Sequence, residues 1–310
     1  MPRIRVDMAL PILNEEASLG RSVGLLSDAL TGIPEYDWAL TIVDNGSEDE
    51  SWRIATQVAD SRPGTRALRL EERGRGRALK AAWSSSDADI VAYMDIDLST
   101  SLEYLRPLVD AIGCGNADLA IGSRLAPGAR VTRGFKREVV SHVYNFIARK
   151  ALKFSIRDAQ CGFKAVNRTV VERVVPLVED DSWFFDTELL FRAQTMGFRI
   201  DEIAVEWVED VDSRVRLVST ALDDLRGIRR LRRGNTIPDV AAGHRGRQFP
   251  TGTGEEAPPS DAVGSRDLLD AVGAVWPETD TGQQLRVERA GPDGLSPPPS
   301  DRSRLPQQLD

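Results

Sequence analysis

The stretch Val91-Ala92-Tyr93-Met94-Asp95-Ile96-Asp97-Leu98-Ser99-Thr100 decides the fold. An apolar run that starts at Ile90 ends abruptly in two carboxylates one residue apart, followed by a polar Ser-Thr-Ser step. Ile90 to Met94 has the length and composition of a buried parallel strand. In an open α/β sheet, ligands sit at the carboxyl ends of the strands, which puts Asp95 and Asp97 on the ligand edge. Two hard oxygen donors there suit Mg2+ or Mn2+, ions that take one or two carboxylates and complete their shells with substrate phosphates. A nucleotide-diphosphate ligand is the first expectation. Taken alone, the pair reads instead as a solvated acidic loop, or as Ser99 opening a helix with Asp97 favouring its N-terminus.

Working outward, the same pattern recurs. Val6 to Ile12 predicts a strand running into the turn Asn14-Glu15-Glu16, and Glu16 to Leu30 has helical apolar spacing at Leu19, Val23, Leu26 and Leu30. Trp38 to Val43 predicts a second strand ending in Asp44-Asn45-Gly46-Ser47-Glu48-Asp49, then a helix from about Glu50 to Ala59 and a strand from Thr65 to Leu70. The loop Glu71 to Arg77 leads into a helix around Ala78 to Ser84. Strands alternating with helices imply a mostly parallel sheet with helices on both faces, and every sharp polar cluster falls at a strand C-terminus. Further on, a helix is expected at Leu102 to Ile112 and a strand at Asp118 to Ile121. Helices then follow through Val140 to Lys150, from near Arg168 and from Trp183 to Glu188, with a last strand at Ile200 to Trp207.

Composition sets the outer bounds. Of 310 residues, 41% are apolar and 28% charged, which is ordinary for a soluble globular chain. Net charge is −8, yet residues 213–234 carry seven Arg against two Asp. There Val215, Val218, Leu222, Leu225 and Ile228 recur at helical spacing, so a basic amphipathic helix is expected over 213–234. Residues 235–310 hold ten of the 17 prolines and are expected to be a disordered tail. Two cysteines, Cys114 and Cys161, make neither a disulfide framework nor a metal cluster and fit a reducing cytosol. No apolar run reaches the length of a membrane span, so membrane contact is expected to be peripheral. Gly74-Arg75-Gly76-Arg77 lacks the third glycine of a dinucleotide fingerprint and follows the third strand, and no Walker loop occurs.

In order, Pro11 with Asn14-Glu15-Glu16, Asp44-Asn45-Gly46-Ser47, Arg73-Gly74, Asp95-Ile96-Asp97 and Gly122-Ser123-Arg124 resemble the family 2 glycosyltransferases of GT-A fold. Asp158-Ala159-Gln160-Cys161-Gly162-Phe163-Lys164, Phe185-Asp186-Thr187-Glu188 and Val205-Glu206-Trp207 are similar to the dolichyl- or polyprenyl-phosphate glycosyltransferases, closest to the glucosyl branch. The resemblance implies a GT-A domain over 1–212, with the basic helix as a membrane-proximal arm. It implies a nucleotide-sugar donor, UDP-glucose, and a polyprenyl-phosphate acceptor, with Mg2+ or Mn2+ at Asp95 and Asp97. Pro11, Glu15 and Asp44 then match the nucleoside pocket, and Asn14, Gly46, Ser47, Arg73 and Gly74 are further substrate-binding candidates. Arg124 matches a phosphate contact, Arg133 and Arg137 acceptor-phosphate contacts and Gln160 a substrate contact, while Asp186 and Glu188 either hold the acceptor side or cap the helix they start. Asp158, Asp97 and Arg124 are the catalytic candidates, with Asp158 orienting or deprotonating the acceptor. The implied place is the cytoplasmic face of the membrane, held peripherally by anionic lipid, with no nucleic acid expected. Ile96 and Leu98-Ser99-Thr100 depart from the small residues common in the family, and no hydrophobic anchor is expected. A soluble saccharide or phosphorylated acceptor at the same donor site is the alternative. A non-catalytic interaction protein is the third reading, opposed by the intact Asp95 and Asp97.

Overall fold

Strands β1 (Ile4–Ile12), β2 (Tyr36–Asp44), β3 (Thr65–Arg69) and β4 (Ile90–Met94) form where the buried apolar runs predict them, all mutually parallel. In this computed structural model, residues 3–132, 135–208 and 217–233 are described, with side chains for 3–132, 141–208 and 223–233. Arg133, the Arg137 side chain and the tail expected over 235–310 lie outside them. The chain divides at Thr251, and every described residue belongs to the first unit.

The intervening helices are α1 (Leu19–Thr31), α2 (Ser51–Ser61) and α3 (Arg75–Ser85). The helix expected from Leu102 begins as a 3-10 turn, Leu102–Tyr104, and α4 proper spans Leu105–Gly113. Pro107 has no N–H to donate, so it is tolerated only in the first helical turn. Period-2 alternation in β4 separates two packed layers. Ile90, Ala92 and Met94 join the core of α1 and α4, through Leu19, Val23, Leu26, Leu105 and Leu108. Tyr93 faces the other way, 5.9 Å from the Trp83 ring of α3.

Downstream come β5 (Leu119–Ser123), β6 (Arg130–Thr132) and α5 (Phe135–Leu152). They are followed by β7 (Phe163–Asn167), α6 (Arg168–Arg173), α7 (Phe185–Thr195), β8 (Ile200–Ala204), β9 (Glu206–Val208) and α8 (Leu217–Arg233). The main sheet runs β3-β2-β1-β4-β7-β5-β8, and β7 lies antiparallel to both its neighbours. This strand was not expected, because Lys164 breaks its apolar pattern; the lysine is fully buried against Asp186. The single strand expected over Ile200 to Trp207 divides at Val205. Its first half pairs with β5 and its second with β6, in a separate two-stranded sheet.

Because β7 enters in reverse, its N-terminal end lies at the carboxyl edge of β4 and β5. The loop Asp158–Gly162 is thereby delivered to the ligand edge. No described helix is long and apolar enough to cross a membrane.

Candidate active site

At the β1–β2 end, Asp44 is fully buried. Its Oδ1 accepts from the Ser47 N–H at 3.1 Å, and Arg69 Nε lies 3.4 Å from Oδ2, which accepts no hydrogen bond among the described residues. A buried carboxylate oxygen without a donor suits a ligand N–H. The surrounding turn is tightly tied. Asn14, at φ +56°, donates its N–H to Ser47 Oγ at 2.9 Å and accepts the Glu48 N–H at 2.8 Å. Glu15 donates its N–H to Ser51 Oγ, and its carboxylate accepts from Ser18. Pro11 sits opposite Val43 in the β1–β2 ladder, and Gly46 takes φ +77° in the turn after Asp44. Gly74 donates its N–H to Asn45 Oδ1 at 2.8 Å, while Arg73 pairs with Glu48 across the loop.

At the β4 end, the Asp95 N–H donates to Gly162 O at 3.1 Å, and Asp97 Oδ1 accepts from the Ser99 N–H at 2.9 Å. A Cβ on residue 162 would fall 1.8 Å from Asp95 Oδ2, so only glycine leaves room for this carboxylate. Among the described residues no three His, Cys, Asp or Glu side chains gather as a metal cluster. Two carboxylates at a strand end fit the other arrangement, in which substrate phosphates supply the remaining ligands.

Arg75, in the loop expected over Glu71 to Arg77, is instead helical. It is buried at the start of α3 and bonds Asp95 at 2.6 Å and Asp186 at 2.7 Å. Its guanidinium lies over the Tyr93 and Trp183 rings. Lys164 reaches Asp186 at 2.9 Å and the Cys161 carbonyl at 2.5 Å, and Tyr93 donates to Asp186. Burial pushes the Tyr93 hydroxyl well above its ordinary pKa, so it stays protonated. Asp186 is thus spent on a buried ionic network whose outer end holds Asp95.

Asp158 and Arg124 form the other half of the edge. Arg124 Nε and Nη2 donate to the two Asp158 oxygens at 2.7 and 2.8 Å, and the Arg124 backbone N–H adds a third bond at 3.0 Å. Burial works to raise the Asp158 pKa, but the Arg124 guanidinium outweighs it and holds the carboxylate below its usual range. Such a group is a poor proton acceptor and a good anchor. The Cys161 thiol, pushed up by burial to about 12, is no nucleophile.

Two of the expected substrate-binding residues are engaged within the protein. Glu188 is fully buried and taken up by Arg192, Arg230 and the Asp180 N–H, so it holds α8 rather than an open edge. Gln160 donates to Asp224 of α8 at 2.7 Å. Arg230, within the basic helix expected over 213–234, pairs with Glu188 and Glu179. Trp207, quoted only within a motif, lies over the Arg124 guanidinium at 5.4 Å. Its signal was an aromatic residue at the end of an edge strand, too common to single out.

The glycosyl transferase family 2 model matches residues 8–175 of this chain. Glycosyltransferase AglD of Haloferax volcanii is 36% identical over 221 residues, covering 71% of this chain but 35% of AglD, so the chain spans about a third of that relative. The dolichyl-phosphate beta-glucosyltransferase of Drosophila melanogaster is 28% identical over 228 residues, covering 67% of this chain and 68% of the relative. Glucosyl-3-phosphoglycerate synthase from Mycobacterium tuberculosis, solved with Mn2+, UDP and phosphoglyceric acid, superposes with a TM-score of 0.56. It is 18% identical, with 77% of this chain and 80% of the other covered. The sheet with its reversed β7 is accordingly a GT-A fold, and the chain belongs to glycosyl transferase family 2.

Proposed function

We propose that this glycosyltransferase moves glucose from UDP-glucose to a polyprenyl phosphate with inversion, working peripherally at the cytoplasmic face of a membrane. The observation that carries the reading is the delivery of the Asp158–Gly162 loop, by antiparallel β7, beside both Asp95 and Arg124. It unites two carboxylates suited to a diphosphate-bound ion with a guanidinium suited to phosphate. The curated relatives named for dolichyl-phosphate glucosyl transfer support the sugar and the lipid class.

Asp95 and Asp97 would hold Mg2+ or Mn2+, which when bound supplies positive charge against the departing nucleoside diphosphate. Asp44 receives the base through Oδ2, which accepts no hydrogen bond among the described residues. The acceptor phosphate oxygen forms the new bond to the anomeric carbon as the bond to the donor β-phosphate oxygen breaks. That acceptor is already ionised near neutral pH, so no strong base is needed, and positioning dominates. Asp158 serves by fixing Arg124.

The test is transfer of labelled glucose from UDP-glucose to a short polyprenyl phosphate with Mn2+, beside Asp97→Ala. Label in the organic phase, reduced at least about a hundredfold in the variant, is expected. UDP binding without lipid labelling would move the acceptor to a soluble phosphate, and no UDP binding would overturn the donor site.

A further inference from the structure

The guanidinium of Arg124 has five N–H donors, and its surroundings use only part of them. Asp158 takes Nε and Nη2 in a two-pronged bond, and Nη1 donates to nothing among the described residues. The Arg124 side chain is 13% exposed, so it is not sealed in the core. The loop Asp158–Gly162 holds both sides: Asp158 binds the Arg124 guanidinium, and Gly162 O accepts from the Asp95 N–H at 3.1 Å. Two side chains therefore set where Nη1 points: Asp158 in the guanidinium plane, and Trp207, whose ring lies 5.4 Å from Cζ.

Trp207 is tied to the other half of the site by its backbone. Thr100 and Trp207 form an antiparallel bridge. On either side of it the Ser101 N–H donates to Glu206 O at 3.0 Å, and the Val208 N–H donates to Ser99 O at 2.8 Å. Ser99 is the residue whose N–H holds Asp97 Oδ1. On its far side Trp207 pairs in register with Val131 of β6. A strand of three residues thus touches the acidic loop through its backbone and the guanidinium through its ring.

We propose that Trp207 is a positioning residue of the transfer site, holding Arg124 so that Nη1 meets a phosphoryl oxygen and coupling that placement to the Asp95–Asp97 loop. The inference rests on the donor-site reading above and assigns a role to a side chain which that reading does not use. A planar guanidinium clamped in its plane by a carboxylate and over its face by an indole loses little further freedom on meeting an oxyanion. An aliphatic side chain at 207 removes the face contact and leaves the fork to Asp158 intact. The phosphoryl oxygen belongs either to the donor diphosphate or to the acceptor phosphate.

The experiment is a double-mutant cycle of Trp207→Leu and Arg124→Lys, with Trp207→Phe as the conservative variant. Calorimetric binding of UDP with Mn2+ is measured beside KM and kcat for UDP-glucose and a short polyprenyl phosphate. Trp207→Leu is expected to lower kcat/KM about tenfold, with Phe recovering most of it. In the Arg124→Lys background the Leu substitution should cost less than about threefold further. A loss confined to UDP affinity assigns Nη1 to the donor diphosphate; a rise confined to the acceptor KM assigns it to the acceptor phosphate. Fully multiplicative effects in a wild-type background that binds UDP overturn the inference alone. A wild-type protein that binds no UDP with Mn2+ overturns the donor-site reading and this inference with it.

Discussion

Asp158 shows how one side chain's surroundings select among roles that its motif leaves open. A carboxylate in a family motif invites assignment as a base, yet both its oxygens here are occupied by Arg124. Its depressed pKa makes a stability contribution that is present above the unfolded value and lost as pH falls through the native one. Asp158→Asn removes the charge while keeping one acceptor. Breaking a buried pair in this way should cost about 2–4 kcal/mol in urea unfolding. Transfer should fall at every pH, without a shift in the pH–rate profile, because Arg124 loses its anchor rather than the reaction its base. A profile whose acidic limb vanishes in the variant would restore Asp158 as the proton acceptor.

At the scale of the element, α8 is seated by polar groups as much as by its apolar stripe. Ile228 and Leu231 are buried, and Gly227 lies so close to Phe184 that a Cβ would come within 2.4 Å of the ring. Asp224 is buried beside Gln160, with Oδ1 lacking any partner among the described residues. Burial pushes its pKa from 3.8 to about 7, against the Gln160 hydrogen bond and with help from Asp180, Asp223 and Asp186. The native state then keeps a proton that the unfolded chain releases, so stability falls as pH rises from about 4 to about 7. Asp224→Asn should gain nothing over wild type near pH ~4 and about 2–4 kcal/mol at pH ~8, read from melting curves across that range. Parallel curves for the two proteins would show that α8 docks with Asp224 ionised.

For the whole molecule the uneven charge matters. Net charge is −8, while Arg229, Arg232 and Arg233 are exposed together at the end of α8. Each cation near an anionic bilayer contributes about 1 kcal/mol, so the three offer roughly a hundredfold in partitioning, weakened by salt. Reversing these three to Glu should reduce sedimentation with phosphatidylserine vesicles by that order and leave UDP binding unchanged. Arg230 is kept out of the set because it holds Glu188. Equal sedimentation of variant and wild type would dismiss α8 as the membrane arm.

The legible part of this protein was local. Apolar runs that stop at Ile12, Asp44 and Asp95 are patterns of neighbouring residues, and from them follow the parallel strands and the edge where polar groups collect. The motifs carried the family and named Asp158, Arg124 and Asp95 as members of one site. Tertiary structure alone decided how they meet. The β7 strand hides behind Lys164, whose charge is tolerated only because Asp186 waits on α7, and Arg75 reaches the same Asp186 across 111 positions. Trp207 and Arg124 share no period, spacing or propensity that joins them. Such contacts arise when packing brings distant elements together, and in the core a charge is stable only where its partner is already in place.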